Sequence, residues 1–346
     1  MYSLKRRNRI TGWFLLKALI FVAATAEAQD RQGKSGNPCG QMLELVADVP
    51  MPGAAVRFDY QSMDAQHGRL YIAHMNADQL VVFDTAKRSV VANLGGFKRV
   101  HGVLAVPEIG RVFASATGDH KLAAVDMETL KTVGMAGPID YPDGVAYASN
   151  ARRVFVSDEH GGVDAVVDVT TNKLIKSIPL GGGAGNTVYD SRSGKILVAV
   201  HGVNQLAVID PMEMNIIARY PLPGVENPHG IALDLAGRLA FIAGEENHSL
   251  AVFDLKAAKL IAVRPVGDDP DVLAYDAGLK MLYVSAESGT VTVLQEKGSD
   301  LREVGRCSMP RAHTVSVDPQ THLVYFPLEN QNGKPVLRIM RPVTKH

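Results

Sequence analysis

The chain is poor in residues that mark several large function classes. Its 346 residues hold two cysteines, one tryptophan and no charge excess, with 36 basic and 36 acidic side chains. Cys39 and Cys307 alone form no CxxC pair, no CxxCH haem-attachment motif and no thiol-nucleophile signature. No GxSxG elbow, HExxH helix or Walker loop is present. The glycine run GGGAG at Gly181–Gly185 lacks the Lys-Ser/Thr that would follow in a phosphate loop, so it reads as a flexible connection. The 12 methionines are scattered without MxxM-type clusters, which argues against a Cu(I) carrier. Nothing points to haem.

Long apolar runs are also missing, apart from one at the N-terminus. A basic stretch, MYSLKRRNR, precedes WFLLKALIFVAA and the small-x-small site Ala26-Glu27-Ala28. This order predicts a secretory signal peptide over 1–28, and hence a periplasmic or secreted protein. Lys17 interrupts the apolar run, which is short for a membrane span, so no stable membrane insertion is expected after cleavage. Removing the segment leaves 31 basic against 35 acidic residues and no basic block, which argues against nucleic acid as a partner. It also removes Trp13, the only tryptophan, leaving few platforms for stacking sugars or bases. In an oxidising compartment Cys39 and Cys307 could form a disulfide, but spacing alone leaves the pairing open.

What is present is repetition. Seven segments enter an apolar run through a polar residue: RFDYQSM, RVHGVLA, YPDGVAY, AGNTVYD, NPHGIAL, DPDVLAY and RAHTVSV. The polar residues are Asp59, His101, Asp143, Asn186, His229, Asp271 and His313, spaced 42 or 43 apart. A basic residue or histidine then opens a second run in each unit, from Arg69 to His322, at the same period. A third run ends in Asp84, Asp126, Asp168, Asp210 or Asp254, a series read as turn chemistry. Four short alternating runs per unit, with no long amphipathic helix, predict an all-β seven-bladed β-propeller of four-stranded blades. The last unit has only three strands, so MLELVADVP from Met42 is expected to close its blade. The domain is then 42–346, preceded by a flexible lead-in at 29–41.

These motifs resemble the YVTN-repeat β-propellers, in particular exported YncE-like proteins, over nearly the whole mature chain. Similar propellers include binding proteins, lactonase-like enzymes and subunits of redox enzymes, so the resemblance implies a fold and leaves activity open. In lactonase-like propellers Glu, Asn and Asp hold a metal in the channel. The resemblance would give those parts to Glu159, Asn186 and Asp143.

The innermost strand of a propeller blade lines the central channel, which places the seven polar residues at one mouth. Round the ring they alternate imidazole and carboxyl except at Asn186. His229–Asp271–His313 and His313–Asp59–His101 are adjacent sets able to ligate a divalent metal ion, with Asp143 completing the metal-ligand set. A purely structural, hydrogen-bonded ring is the competing reading. Connections after the second strands should reach the same face, adding His74, Glu159, His160, His201, Glu245, Glu246, Glu287 and Glu329 to a ligand-binding rim. Lys87, Lys131, Lys173 and Lys259 fall in turns on the opposite face. An acidic, imidazole-rich mouth favours a metal ion or small cationic ligand. Three functions follow: non-catalytic binding of a divalent metal or small ligand, metal-dependent hydrolysis or lysis of the lactonase type, and a scaffold for a protein partner.

Overall fold

Each repeat folds as four antiparallel strands because apolar side chains alternate along its runs and turn residues separate them. The computed structural model describes residues 39–298 and 300–343, so the expected signal peptide lies outside the described residues. Blades one to six occupy 61–95, 100–136, 142–179, 184–221, 228–265 and 270–308. The seventh is composite. Ser316–Val317, Val324–Gln331 and Lys334–Pro342 are completed by Leu43–Pro50, which pairs antiparallel with Lys334–Pro342. The innermost strands of neighbouring blades touch in sequence, and those of blades one and seven also touch. The ring is closed, as the three-strand last unit predicted.

The core lies between blades. One large side chain per blade recurs in the second strand: Tyr71, Phe113, Phe155, Leu197, Phe241, Tyr283 and Tyr325, all buried. Burying each contributes about 2–3 kcal/mol. The repeated Asp residues have the turn duties expected of them, and the basic residues pair with some of them. Asp126, Asp168, Asp210 and Asp254 accept two backbone N–H bonds from the following turn. Arg111 pairs across strands with Asp126 at 2.6 Å, and Lys195 with Asp210 at 2.5 Å.

One feature of the innermost strands positions the mouth. In five blades a β-bulge sets two residues against one on the next strand. The pairs are His101–Gly102, Asp143–Gly144, Gly185–Asn186, His229–Gly230 and Asp271–Val272. Such a bulge re-aims a side chain and bends the strand. A Cβ on Gly102 would collide with the carbonyl of Asp143, and one on Gly230 with that of Asp271. The glycine of the His/Asp-Gly motif is therefore needed for the close approach of the next blade.

Cys39 is buried and joined to Cys307 in the outer strand of blade six. Only 39–41 of the expected lead-in are described, and this end is anchored by that bond. A second buried oddity is Asp164, which stands where blades one, two, four and five carry Leu80, Leu122, Leu206 and Leu250. Its Oδ2 accepts from Thr187 Oγ1 at 3.2 Å, its Oδ1 has no partner, and burial pushes the carboxyl up to about 7.

Two stability predictions follow from these groups. Replacing both cysteines by serine should lower unfolding free energy by about 2–5 kcal/mol in urea melts, and an unchanged midpoint would show that the bond is absent. Asp164 titrates near 3.8 when unfolded. Its raised folded value means stability is lost as pH rises from about 4 to 7 and is level thereafter. Relative to Asp164→Asn, the wild type should lose on the order of 2–4 kcal/mol across that window. Parallel pH curves would refute the assignment.

Candidate functional site

Six side chains from six blades converge where the channel opens, and all six are buried: Asp59, His101, Asp143, His229, Asp271 and His313. Blade four contributes none. Its bulge puts Gly185 at the opening position and Asn186 at the place that is glycine in blades two, three and five. The ring expected from the sequence is thus corrected by one residue there. Asn186 Oδ1 instead accepts its neighbour's N–H, from Thr187, at 2.8 Å. The space beside Gly185 is taken by imidazole, because a Cβ there would strike the ring of His201. His201 Nε2 lies 3.2 Å from His229 Nδ1.

Tyr60 closes the channel. It follows Asp59 at the position of the conserved-in-repeat glycine, and its side chain crosses from blade one. The hydroxyl lies 3.0 Å from His229 Nε2 in blade five and 3.4 Å from Asp143 Oδ2 in blade three. A carboxylate accepts, so Tyr60 donates to Asp143 and receives a bond from His229 Nε2–H. Inside the channel, a cavity of about 260 Å³ is lined by Tyr60, Val103, Asn186, Leu273 and Val315, among others. Tyrosine at this position was visible in RFDYQSM, but attention to the first polar residue passes over the second.

The other imidazoles are held individually. His101 Nδ1 donates to the Arg99 carbonyl at 2.7 Å, so its Nε2 is the acceptor for Tyr141 O–H at 3.1 Å. His313 Nε2 is buried and has no hydrogen-bond partner. Of the expected rim, Glu245 and His201 join the centre. Glu245 Oε1 is 3.5 Å from His229 Nδ1, and its Oε2 accepts from Asn227 at 3.0 Å. Glu159 is half-buried, and its charge reaches Asp143 and His229. His160 lies over Tyr141 with centroids 4.0 Å apart. Glu287 pairs with Arg57 at 2.5 Å, Glu329 with Arg311 at 3.9 Å, and Glu246 is exposed. His74 is a correction. It is fully buried and stacked 3.9 Å from Phe58, because its strand ends beneath the 52–56 segment and Gly53 packs on its ring.

Among the described residues, ligand atoms gather in two groups whose members lie within 4.8 Å of one another. They are His201–His229–Glu245 and Asp59–Asp271–His313, a partition different from the adjacent sets expected from ring order. The charges are unequal. Burial first, and then neighbouring carboxyls, push Asp59 and Asp271 upward; burial likewise raises Asp143. Burial opposes a charge on His229, but Glu245, Asp271, Asp143 and Glu159 outweigh it and lift the imidazole to about 9. Burial lowers His101 to about 4 and His201 and His313 to about 3, so these three rings are neutral.

His229 should therefore leave a mark on the pH dependence of stability. A raised folded pKa gives a contribution fully present below 6.5, the unfolded value, and lost as pH climbs through about 9. In chelator-treated protein, His229→Gln should cost on the order of 3 kcal/mol near pH 6.5. The gap from wild type should narrow by pH 9.5 in urea titrations. A gap independent of pH would remove the charge from His229.

Comparison with known proteins places the fold and no more. No family model matches the chain, and no curated protein does. A chain of hydrazine synthase from Kuenenia stuttgartiensis is similar in structure, with TM-score 0.71 and 14% sequence identity over 85% of this chain and 99% of that one. At that identity the likeness is one of fold: the protein is a seven-bladed β-propeller.

Proposed function

We propose that the protein is an exported propeller of the YVTN-repeat, YncE-like kind that binds a divalent cation at its channel mouth without catalysing a reaction. One observation carries the cation: three ligand atoms converge while the other polar atoms of two of those side chains are engaged. His229 Nδ1 stands 3.2 Å from His201 Nε2 and 3.5 Å from Glu245 Oε1. Tetrahedral ligands at about 2.0–2.1 Å from Zn²⁺ are themselves about 3.3 Å apart. The far nitrogen of His229 is held by Tyr60 and the far oxygen of Glu245 by Asn227. Such outer bonds orient ligands and set the tautomer. Two imidazoles and a carboxylate suit Zn²⁺ and its 3d neighbours.

Burial supports binding over turnover. Tyr60 fills the mouth, and the ring residues have little contact with solvent. The lactonase-like alternative would need Glu159, Asn186 and Asp143 around an open pocket. Asn186 sits off the ring, and Asp143 is engaged by Tyr60. Export is supported by the leader-like N-terminus and by the Cys39–Cys307 bond, which persists best in an oxidising compartment.

The test is elemental analysis of residues 29–346 purified without chelators, alongside His201→Ala and Glu245→Gln. The variants should each carry one equivalent of Zn²⁺ less than the parent, with unchanged far-ultraviolet circular dichroism. Tyr60→Phe should keep the site but weaken it about 10-fold or more, since it loosens a ligand from behind. A parent that takes up no metal, even after reconstitution, would sink the cation reading.

A further inference from the structure

The mouth holds a second set of ligand atoms whose composition and position differ from those of the His201 trio. Asp59 precedes the innermost strand of blade one, Asp271 opens that of blade six, and His313 precedes that of blade seven. Their ligand atoms lie within 4.8 Å of one another. Asp59 and His313 are each 2% exposed and Asp271 is 6% exposed. The two carboxyls make like charges converge in a buried space, an arrangement that needs a cation or a proton. Arg57 is the nearby fixed cation and its charge reaches both carboxyls, but its close ion pair, at 2.5 Å, is with Glu287.

The independent observation is His313. His313 Nε2 is buried and meets no hydrogen-bond partner. A buried ring nitrogen left without a partner is costly. A metal ion accepting its lone pair removes the cost and neutralises the carboxyls together.

We infer that Asp59, Asp271 and His313 form a second cation site, separate from the His201–His229–Glu245 site and richer in oxygen ligands. The inference deepens the reading of the mouth as a cation-binding centre. Two carboxylates and one imidazole suit Mn²⁺ or a similar ion better than a set with two imidazoles does. The two sites are neighbours on the ring, with His229 Nε2 of the first 3.7 Å from Asp271 Oδ1 of the second. The first joins blades four and five; the second joins blades six, seven and one, which flank the seam where the ring closes. The ion at the second site therefore acts as an inner clasp on that seam, while the disulfide acts at its outer side.

The test uses chelator-stripped protein titrated with Mn²⁺, with free ion read from its electron paramagnetic resonance signal. Wild type should bind Mn²⁺ at this site, and Glu245→Gln should retain it. His313→Gln and Asp59→Asn should each weaken it at least 10-fold while remaining folded by circular dichroism. Two variants guard against one misfolding. Zn²⁺ uptake at the first site should survive in both. Mn²⁺ binding unchanged in His313→Gln and Asp59→Asn overturns the second site, as does a folded wild type that binds no Mn²⁺. Loss of Mn²⁺ only in Glu245→Gln overturns it too, and leaves the first site standing.

Discussion

The structure depends on how closely seven strands can approach one axis. At the channel the carbonyls of Asp143, Pro228 and Asp271 press on the starts of blades two, four and five, which must offer glycine there. The bulge that accommodates this contact turns the preceding side chain toward the axis. Polar residues at those positions then share one small space. Packing, not ligand chemistry, is what first brings them together.

Once gathered, the carboxyls and imidazoles cannot all hold their ordinary charges. Asp59, Asp143, Asp271 and Glu245 crowd His229, which becomes the cationic hub, whereas His101, His201 and His313 stay neutral. Tyr60, reaching in from blade one, links the hub in blade five to Asp143 in blade three. The mouth is thereby a closed polar network of the kind whose parts stand or fall together. The space left by Gly185 breaks its symmetry and lets His201 lean in from a connecting loop. The site is asymmetric although the fold repeats.

Much of this was legible in the residues. A period near 42 residues, together with a three-strand last unit, implied seven blades and an N-terminal closing strand, since strand patterning is local and repetition multiplies the signal. Six of the seven opening residues were placed by alignment of the repeats, three of them (His101, Asp143 and His229) in a His-Gly or Asp-Gly pair. Asn186 was displaced by one because AGNT offers a polar residue one step late and a bulge has no signature in spacing. Tyr60 escaped notice because a side chain that spans a channel acts across blades, at sequence separations of 83 and 169. His74 looked like a rim residue by its place after a strand, yet the packing of 52–56 over it is tertiary. The partition into two ligand groups depends on rotamers and distances, which no pattern encodes.

The composite seventh blade has a consequence for how the chain acquires its shape. Leu43–Pro50 is synthesised before the six complete blades, and its partner Lys334–Pro342 after them. Six blades can form in order behind the advancing chain, each from local hairpins, while the earliest strand waits with an open edge. Assembly of the ring is thus a race between the arrival of the last strand and capture of the waiting edge by something else. In a cell, whatever shields that strand in the interval has as much say in the yield of native protein as the stability of the finished ring.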